Sequence, residues 1–112
     1  MRKLSVIMIT VAGLMFSMAA ITGSHSAPAR SGEAVFEANC ANCHSSFIGG
    51  FFSGAPDIGD KEDWAAVLPK GLDGLTASTI AGVGDMAPRG ACAECTDEEI
   101  RAAVEYILSK VE

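Results

Sequence analysis

The 112-residue sequence predicts a small all-α domain, and three features of the chain support that fold class. Thr96 and Glu99 form a Thr-x-x-Glu capping pattern, and apolar residues at helical spacing follow as far as Val111. Ser31 is a suitable N-cap for an earlier helix that begins at Gly32 and leads into a pair of cysteines. The chain also lacks the alternating strands and helices of a βαβ fold. We therefore expect a helix near each end of the domain, with weaker helical segments between them.

The first 26 residues are expected to be a secretory signal peptide and not part of this domain. The chain begins with a basic Met-Arg-Lys, residues 4–21 are almost entirely apolar, and small residues suited to cleavage follow. An uncleaved membrane anchor is the alternative, because residues 4–21 approach the length of a bilayer span. Residues 27–31 are then a linker and residues 32–112 are the folded domain, exported to the periplasm.

The helix that begins at Gly32 runs into Cys40-Ala41-Asn42-Cys43-His44, which reads C-x-x-C-H. This is the signature of c-type haem attachment. Two thiols on one helical turn can each add to a vinyl group on the same edge of a porphyrin. His44 is then carried beneath the ring, where its imidazole can bind iron. The early glycine makes sense if another helix, carrying Tyr106, crosses closely there.

Residues 45–60 are rich in glycine and are expected to form a loop that carries three phenylalanines. A porphyrin face would give these rings an apolar surface to lie against, although ordinary core packing is the alternative. Pro56 keeps its carbonyl, which could accept a hydrogen bond from the free nitrogen of His44 and orient that ring.

Two weaker helices are expected next. Residues 61–68 form a short one, with Asp60 as N-cap and with Pro69 ending it. Trp64, on that helix, would either offer its N–H to a haem propionate or pack in the core. Residues 72–83 predict a second helix, which we expect to be irregular.

Met86 lies in a loop bounded by proline and glycine, ahead of the final helix. After leader cleavage it is the only methionine, and His44 is the only histidine. A thioether is a soft ligand suited to haem iron, and Met/His ligation raises the reduction potential; a gap-filling role is the alternative. The sequence thus predicts one haem c per chain, with His44 and Met86 as axial ligands and Cys40 and Cys43 as thioether links.

Cleavage would leave six basic against fourteen acidic residues, a net charge of −8. Phosphates would repel such a chain, so nucleic acid is not expected as a partner. The charge suits a basic docking surface on a redox partner protein, though it would serve ordinary solubility equally well. Membrane association is expected only if the leader is retained.

With these residues in view, the chain resembles the class I c-type cytochromes, and more narrowly the cytochrome c5 family. The similarity extends from about Gly32 to Leu108. It is carried by the following residues: Gly32, Phe36, Cys40–His44, Gly54–Asp60, Trp64, Met86–Gly90, Cys92 and Cys95. It implies a small all-α, cytochrome c-like bundle wrapped around a covalently bound haem, with the first and last helices crossed. It also implies one-electron transfer between respiratory proteins in the periplasm, not enzymatic catalysis.

In the resembled family the second cysteine pair, Cys92 and Cys95 here, is a disulfide, which is also the state expected after export. A redox-active pair is an alternative, because a helix start lowers a thiol pKa. Two further alternatives are a zinc site bound by all four thiolates and a thiol oxidoreductase that uses either pair of cysteines. If Met86 did not bind iron, the open haem site would suit a ligand-binding protein or a peroxidase.

Overall fold

The computed structural model describes residues 27–45 and 47–111. The expected leader, residues 1–26, lies outside the described residues. No helix in the described ranges has both the length and the apolar character needed to span a bilayer.

Within the described ranges the regular structure is helical throughout, which confirms the predicted fold class. The elements are α1 (Gly32–Val35), a π-helical turn (Phe36–Cys40), α2 (Ala41–His44), α3 (Phe47–Ser53), α4 (Lys61–Trp64), a 3-10 turn (Leu68–Lys70), α5 (Gly71–Ala81), a second 3-10 turn (Pro88–Ala91) and α6 (Asp97–Val111). An isolated antiparallel bridge joins Val83 to Met86.

The first helical stretch begins as the sequence predicts. The Oγ of Ser31 accepts a hydrogen bond from the backbone N–H of Ala34 at 3.2 Å, which caps α1. Helical backbone then continues through the π turn and α2 to His44. One unbroken segment therefore carries the whole C-x-x-C-H motif.

The capping box at the last helix is also confirmed. The N–H of Glu99 donates to Thr96 Oγ1 at 3.2 Å, and the N–H of Thr96 donates back to Glu99 Oε2 at 3.2 Å. The buried face of α6 contains the following apolar residues: Ile100, Ala103, Val104, Ile107 and Val111.

The first helical stretch and α6 cross at Gly32, where a side chain would not fit. A β carbon built there would overlap the carbonyl oxygen of Ala102 and lie 3.1 Å from the nitrogen of Ala103. The crossing partner of this glycine is thus the backbone of α6; the ring of Tyr106 packs one turn along, 5.4 Å from the ring of Phe36.

Two apolar clusters fill the space between these helices. Their members are, in the first, Val35, Cys92, Cys95, Ile100 and Ala103, and in the second, Phe36, Trp64, Ile107 and Val111. Each cluster joins the first helical stretch to α6, so the two helices hold the C-x-x-C-H segment in place.

The expectation of a loop throughout residues 45–60 is wrong, because Phe47–Ser53 forms α3. The glycine that ends this helix is Gly54, which takes a φ of +66° and donates its N–H to the carbonyl of Gly50 at 2.8 Å. The side chains of Phe51 and Phe52 are 76% and 82% exposed, so the protein core does not cover them.

The two weaker helices differ from expectation in opposite ways. α4 ends at Trp64, earlier than expected. From there to Lys70 the backbone hydrogen bonds join residues three apart, and Pro69 has no N–H with which to continue an α-helix. α5 is a regular helix, Gly71–Ala81, with Gly82 as its C-cap. It packs on α6, and burial of one side stabilises it despite its weak apolar pattern.

Candidate functional site

Cys40 and Cys43 are both free thiols in the structure. Cys40 ends the π turn and is half-buried, whereas Cys43 lies in α2 and is exposed. The pKa of the Cys40 thiol is raised, mainly by burial and to a smaller extent by the charge of the neighbouring Cys43. Both thiols are thus available for covalent attachment, and Cys43 is the more exposed of the two.

His44 follows at the end of α2, with its imidazole 7% exposed. Its Nδ1 lies 2.8 Å from the carbonyl oxygen of Pro56, which is the contact expected from the sequence. A carbonyl can only accept, so Nδ1–H is the donor in this contact, and Nε2 is left for another partner. The backbone N–H of Ile58 also donates to the carbonyl of His44 at 2.5 Å, which binds the 56–58 segment to the motif. The arrangement is that of an imidazole oriented through Nδ1, with Nε2 left to act as a metal ligand.

Trp64 packs beside this histidine, with 5.7 Å between ring centroids and 30° between ring planes. Its Nε1–H donates to the carbonyl of Asp57 at 2.8 Å. This bond uses the indole N–H within the protein, and Trp64 is 8% exposed, which favours the core position over a bond to a propionate.

Met86 lies half-buried at the end of a tight reversal after α5. Val83 and Met86 exchange two backbone hydrogen bonds, of 3.1 and 2.8 Å. Gly82 permits the reversal: its φ is +85°, and a β carbon there would lie 2.9 Å from the nitrogen of Pro88. The turn Pro88–Ala91 that follows contacts the π turn ending at Cys40. The loop of residues 82–91, called the methionine loop below, therefore lies against the helix that carries the thiols.

Cys92 and Cys95 are joined by a disulfide, with their Cα atoms 5.4 Å apart. Both are buried in the first apolar cluster. Two of the four thiolates required by a zinc site are thereby consumed, which removes that alternative.

Arg30 forms a contact that sequence reasoning missed. Its backbone N–H and guanidinium donate to the carboxylate of Glu99 at 2.9 to 3.0 Å, and Nη2 lies 3.2 Å from the Sγ of Cys95. These bonds lower the pKa of Glu99 to about 2. The linker is thus fastened to the start of α6 across 69 residues, a distance at which no local pattern could have signalled the pair.

This donor set fits a haem c. Two free thiols lie one helical turn apart, and the adjacent buried imidazole has its Nε2 available. Histidine nitrogen and methionine sulfur are ligands that haem iron accepts.

Comparisons with known proteins point to the same chemistry. The sequence model of the family described as "Cytochrome C oxidase, cbb3-type, subunit III" matches residues 27–107. The chain is similar to cytochrome c5 of Ectopseudomonas mendocina, with 40% identity over 69% of this chain and 86% of the relative. Cytochrome c5 of Azotobacter vinelandii is 41% identical over 68% of this chain and 89% of the relative.

Solved structures agree. A cytochrome c in an electron transfer complex with nitrite reductase superimposes with a TM-score of 0.64 and 37% identity, covering 72% of this chain and 94% of that one. A mono-haem ferrocytochrome c from Shewanella putrefaciens gives a TM-score of 0.60 and 38% identity, covering 77% of this chain and 100% of that one. The fold, the attachment motif and these relatives together establish that the chain belongs to the class I c-type cytochromes, within the cytochrome c5 family.

Proposed function

We propose that this protein is a monohaem one-electron carrier that passes electrons between redox partner proteins in the periplasm. The observation that carries the proposal is the His44–Pro56 hydrogen bond, which fixes the imidazole in the tautomer that can bind iron. The same helical segment presents both thiols, so attachment and proximal ligation are set by one piece of backbone.

The chain's residues have distinct roles in this proposal. Cys40 and Cys43 would attach the haem through thioethers. His44 would bind the iron on one side, oriented by Pro56 and packed against Trp64. The bound haem supplies a one-electron iron couple whose potential is raised by Met/His ligation.

Met86 is proposed as the second axial ligand. Met86 is distant from the C-x-x-C-H motif in sequence, but its loop packs against the helix that carries the thiols. Its thioether is the only soft neutral donor that the described part of the chain offers apart from cysteine. If His44 and Met86 both bound the iron, the protein would supply both of these ligands, which would be the arrangement of an electron carrier and not of a peroxidase.

Export is proposed on three grounds: the leader sequence, the motif and the Cys92–Cys95 disulfide. A disulfide persists in an oxidising compartment such as the bacterial periplasm. Mass spectrometry of the exported protein would report the mature N-terminus and the added mass of one haem together. A chain that keeps residues 1–26 would support the anchored form instead.

The ligand set is tested by replacing Met86 with alanine. We expect the haem to stay covalently bound, the reduction potential to fall, and the weak long-wavelength band of thioether-ligated ferric haem to disappear. Val83→Ala is the matched control, because it shortens an exposed side chain of the same loop and should leave both properties unchanged.

Three results would contradict parts of the proposal. An unchanged potential in Met86→Ala would remove this residue from the iron. A five-coordinate, high-spin spectrum of the wild-type protein would indicate the ligand-binding or peroxidase class. His44→Ala should abolish normal low-spin ligation, and an unaltered spectrum would refute the proximal assignment.

A further inference from the structure

Three consecutive residues after Met86 hold left-handed backbone angles. The φ angle is 60° at Arg89, 58° at Gly90 and 63° at Ala91. Glycine adopts this conformation readily, but in other residues the β carbon crowds the following carbonyl oxygen. Arg89 and Ala91 therefore require contacts elsewhere that keep this turn in place.

The side chain of Arg89 makes those contacts. Its Nη1 donates to Asp97 Oδ1 at 2.8 Å, and its Nη2 donates to the carbonyl oxygen of Cys95. Its own carbonyl accepts from the N–H of Cys92 at 3.1 Å. The Arg89 side chain is 25% exposed and its bond to the Cys95 carbonyl is partly buried, whereas Asp97 is 68% exposed, so the bond to Cys95 is the better shielded of the two. One residue thus fastens the loop to the disulfide segment and to the first turn of α6.

The fastened turn lies directly against Met86. A β carbon built at Gly90 would be 3.7 Å from the Cε methyl of Met86, so the thioether passes over this glycine. The backbone hydrogen bonds between Val83 and Met86 close the other side of the loop. A shift of the turn at residues 88–91 would therefore change where the sulfur points.

We propose that Arg89 is a positioning residue that holds Met86 toward the iron by fastening the methionine loop to α6. The proposal rests on the proposed function, in which Met86 is an axial ligand. Without the guanidinium contacts, the left-handed turn relaxes more often and the sulfur leaves its ligating position more often. An external ligand then finds the iron open in a larger fraction of molecules.

Imidazole binding to the ferric, haem-loaded protein measures that fraction. Imidazole must displace Met86, so its apparent affinity rises in proportion to the population in which the sulfur is detached. Arg89→Gln should bind imidazole at least about tenfold more tightly than the wild type, since charge-assisted bonds are lost. Arg89→Lys, which keeps the charge but not the forked geometry, should fall between the two.

Arg101→Gln is the matched control. It removes another guanidinium from a contact with an aspartate, Asp73 of α5, and leaves the contacts of Arg89 with Cys95 and Asp97 in place. We expect its imidazole affinity to equal that of the wild type, although guanidinium chloride unfolding should show a small loss of stability in both glutamine variants. Equal imidazole affinities in Arg89→Gln and Arg101→Gln would overturn the proposal.

Met86→Ala gives the reference for a fully open site. Tight imidazole binding by Met86→Ala without any gain in Arg89→Gln would overturn the role of Arg89 alone. Wild-type affinity in Met86→Ala would overturn the ligand assignment and the Arg89 proposal together. If Arg89→Gln does not accumulate as a haem-loaded protein, Arg89→Lys decides by the same comparison.

Discussion

Replacing Gly32 with alanine should destabilise the domain by about 2 kcal/mol, because the added methyl group has no space at the helix crossing. The obstacles are the carbonyl oxygen of Ala102 and the nitrogen of Ala103, both backbone atoms of a 15-residue helix. They cannot rotate away as a side chain could, so the helices must separate. Such overpacking costs about 1–3 kcal/mol. The better helix propensity of alanine recovers less than about 1 kcal/mol, since Gly32 is the first residue of α1.

Guanidinium chloride unfolding of the haem-loaded protein, followed by circular dichroism, gives the free energy directly. In a domain of this size 2 kcal/mol corresponds to a fall in Tm of roughly 8–16 °C. Gly50→Ala is the matched control, because it adds the same methyl group to a helical glycine whose nearest obstacle, the carbonyl oxygen of Ala55, would be 3.4 Å away. We expect Gly50→Ala to be as stable as the wild type, or slightly more so. If Gly32→Ala and Gly50→Ala unfold at the same denaturant concentration, the close crossing of the two helices is not as described.

Three further changes test other contacts. Glu99→Gln should weaken the dependence of stability on acid pH. The pKa of this carboxyl is lowered to about 2, so its contribution to stability is present above about pH 4.5 and is lost as the pH falls toward 2. Unfolding midpoints measured across that range would check this, and parallel profiles of variant and wild type would contradict it. Trp64→Phe removes the N–H bond to the Asp57 carbonyl and should cost about 1 kcal/mol in unfolding free energy without loss of haem, so wild-type stability would argue against that bond. Replacing Cys92 and Cys95 together by serine should lower the unfolding free energy by only about 2 kcal/mol, because the disulfide closes a very short loop. The haem content should be unchanged. Loss of electron transfer at full haem occupancy would instead indicate a redox role for the pair.

Local signals predicted the helices at both ends of the domain correctly. Ser31 and the Thr96–Glu99 box both satisfy backbone N–H groups within three residues of themselves, so their effect depends on neighbouring sequence alone. The apolar stripe of α6 likewise indicates which face is buried before any partner is known.

The middle of the chain was predicted less well for a physical reason. Glycines were interpreted as loop signals, yet Gly50 lies inside α3 and only Gly54, with its positive φ, ends that helix. α5 has little amphipathic pattern, so the packing against α6 that makes it regular is not visible in its own residues. In both cases tertiary contacts outweighed local propensity.

The functional site, too, was predicted only in part from the sequence. The C-x-x-C-H spacing and the single mature histidine and methionine point to covalent haem chemistry, because that chemistry needs particular residue types on one helical turn. The contact of His44 with Pro56 was also expected from the sequence. The use of the Trp64 N–H and the fastening of the methionine loop by Arg89 were decided only in the folded chain.

The amino-acid order therefore determined the attachment chemistry, the capped terminal helices and the family, since each depends on residues that are close in sequence. Tertiary structure alone decided the partner of the Trp64 N–H and the contacts that hold the methionine loop. A hydrogen bond such as that between Arg30 and Glu99 forms only when folding brings together backbone that is 69 residues apart, and no local pattern specifies that geometry.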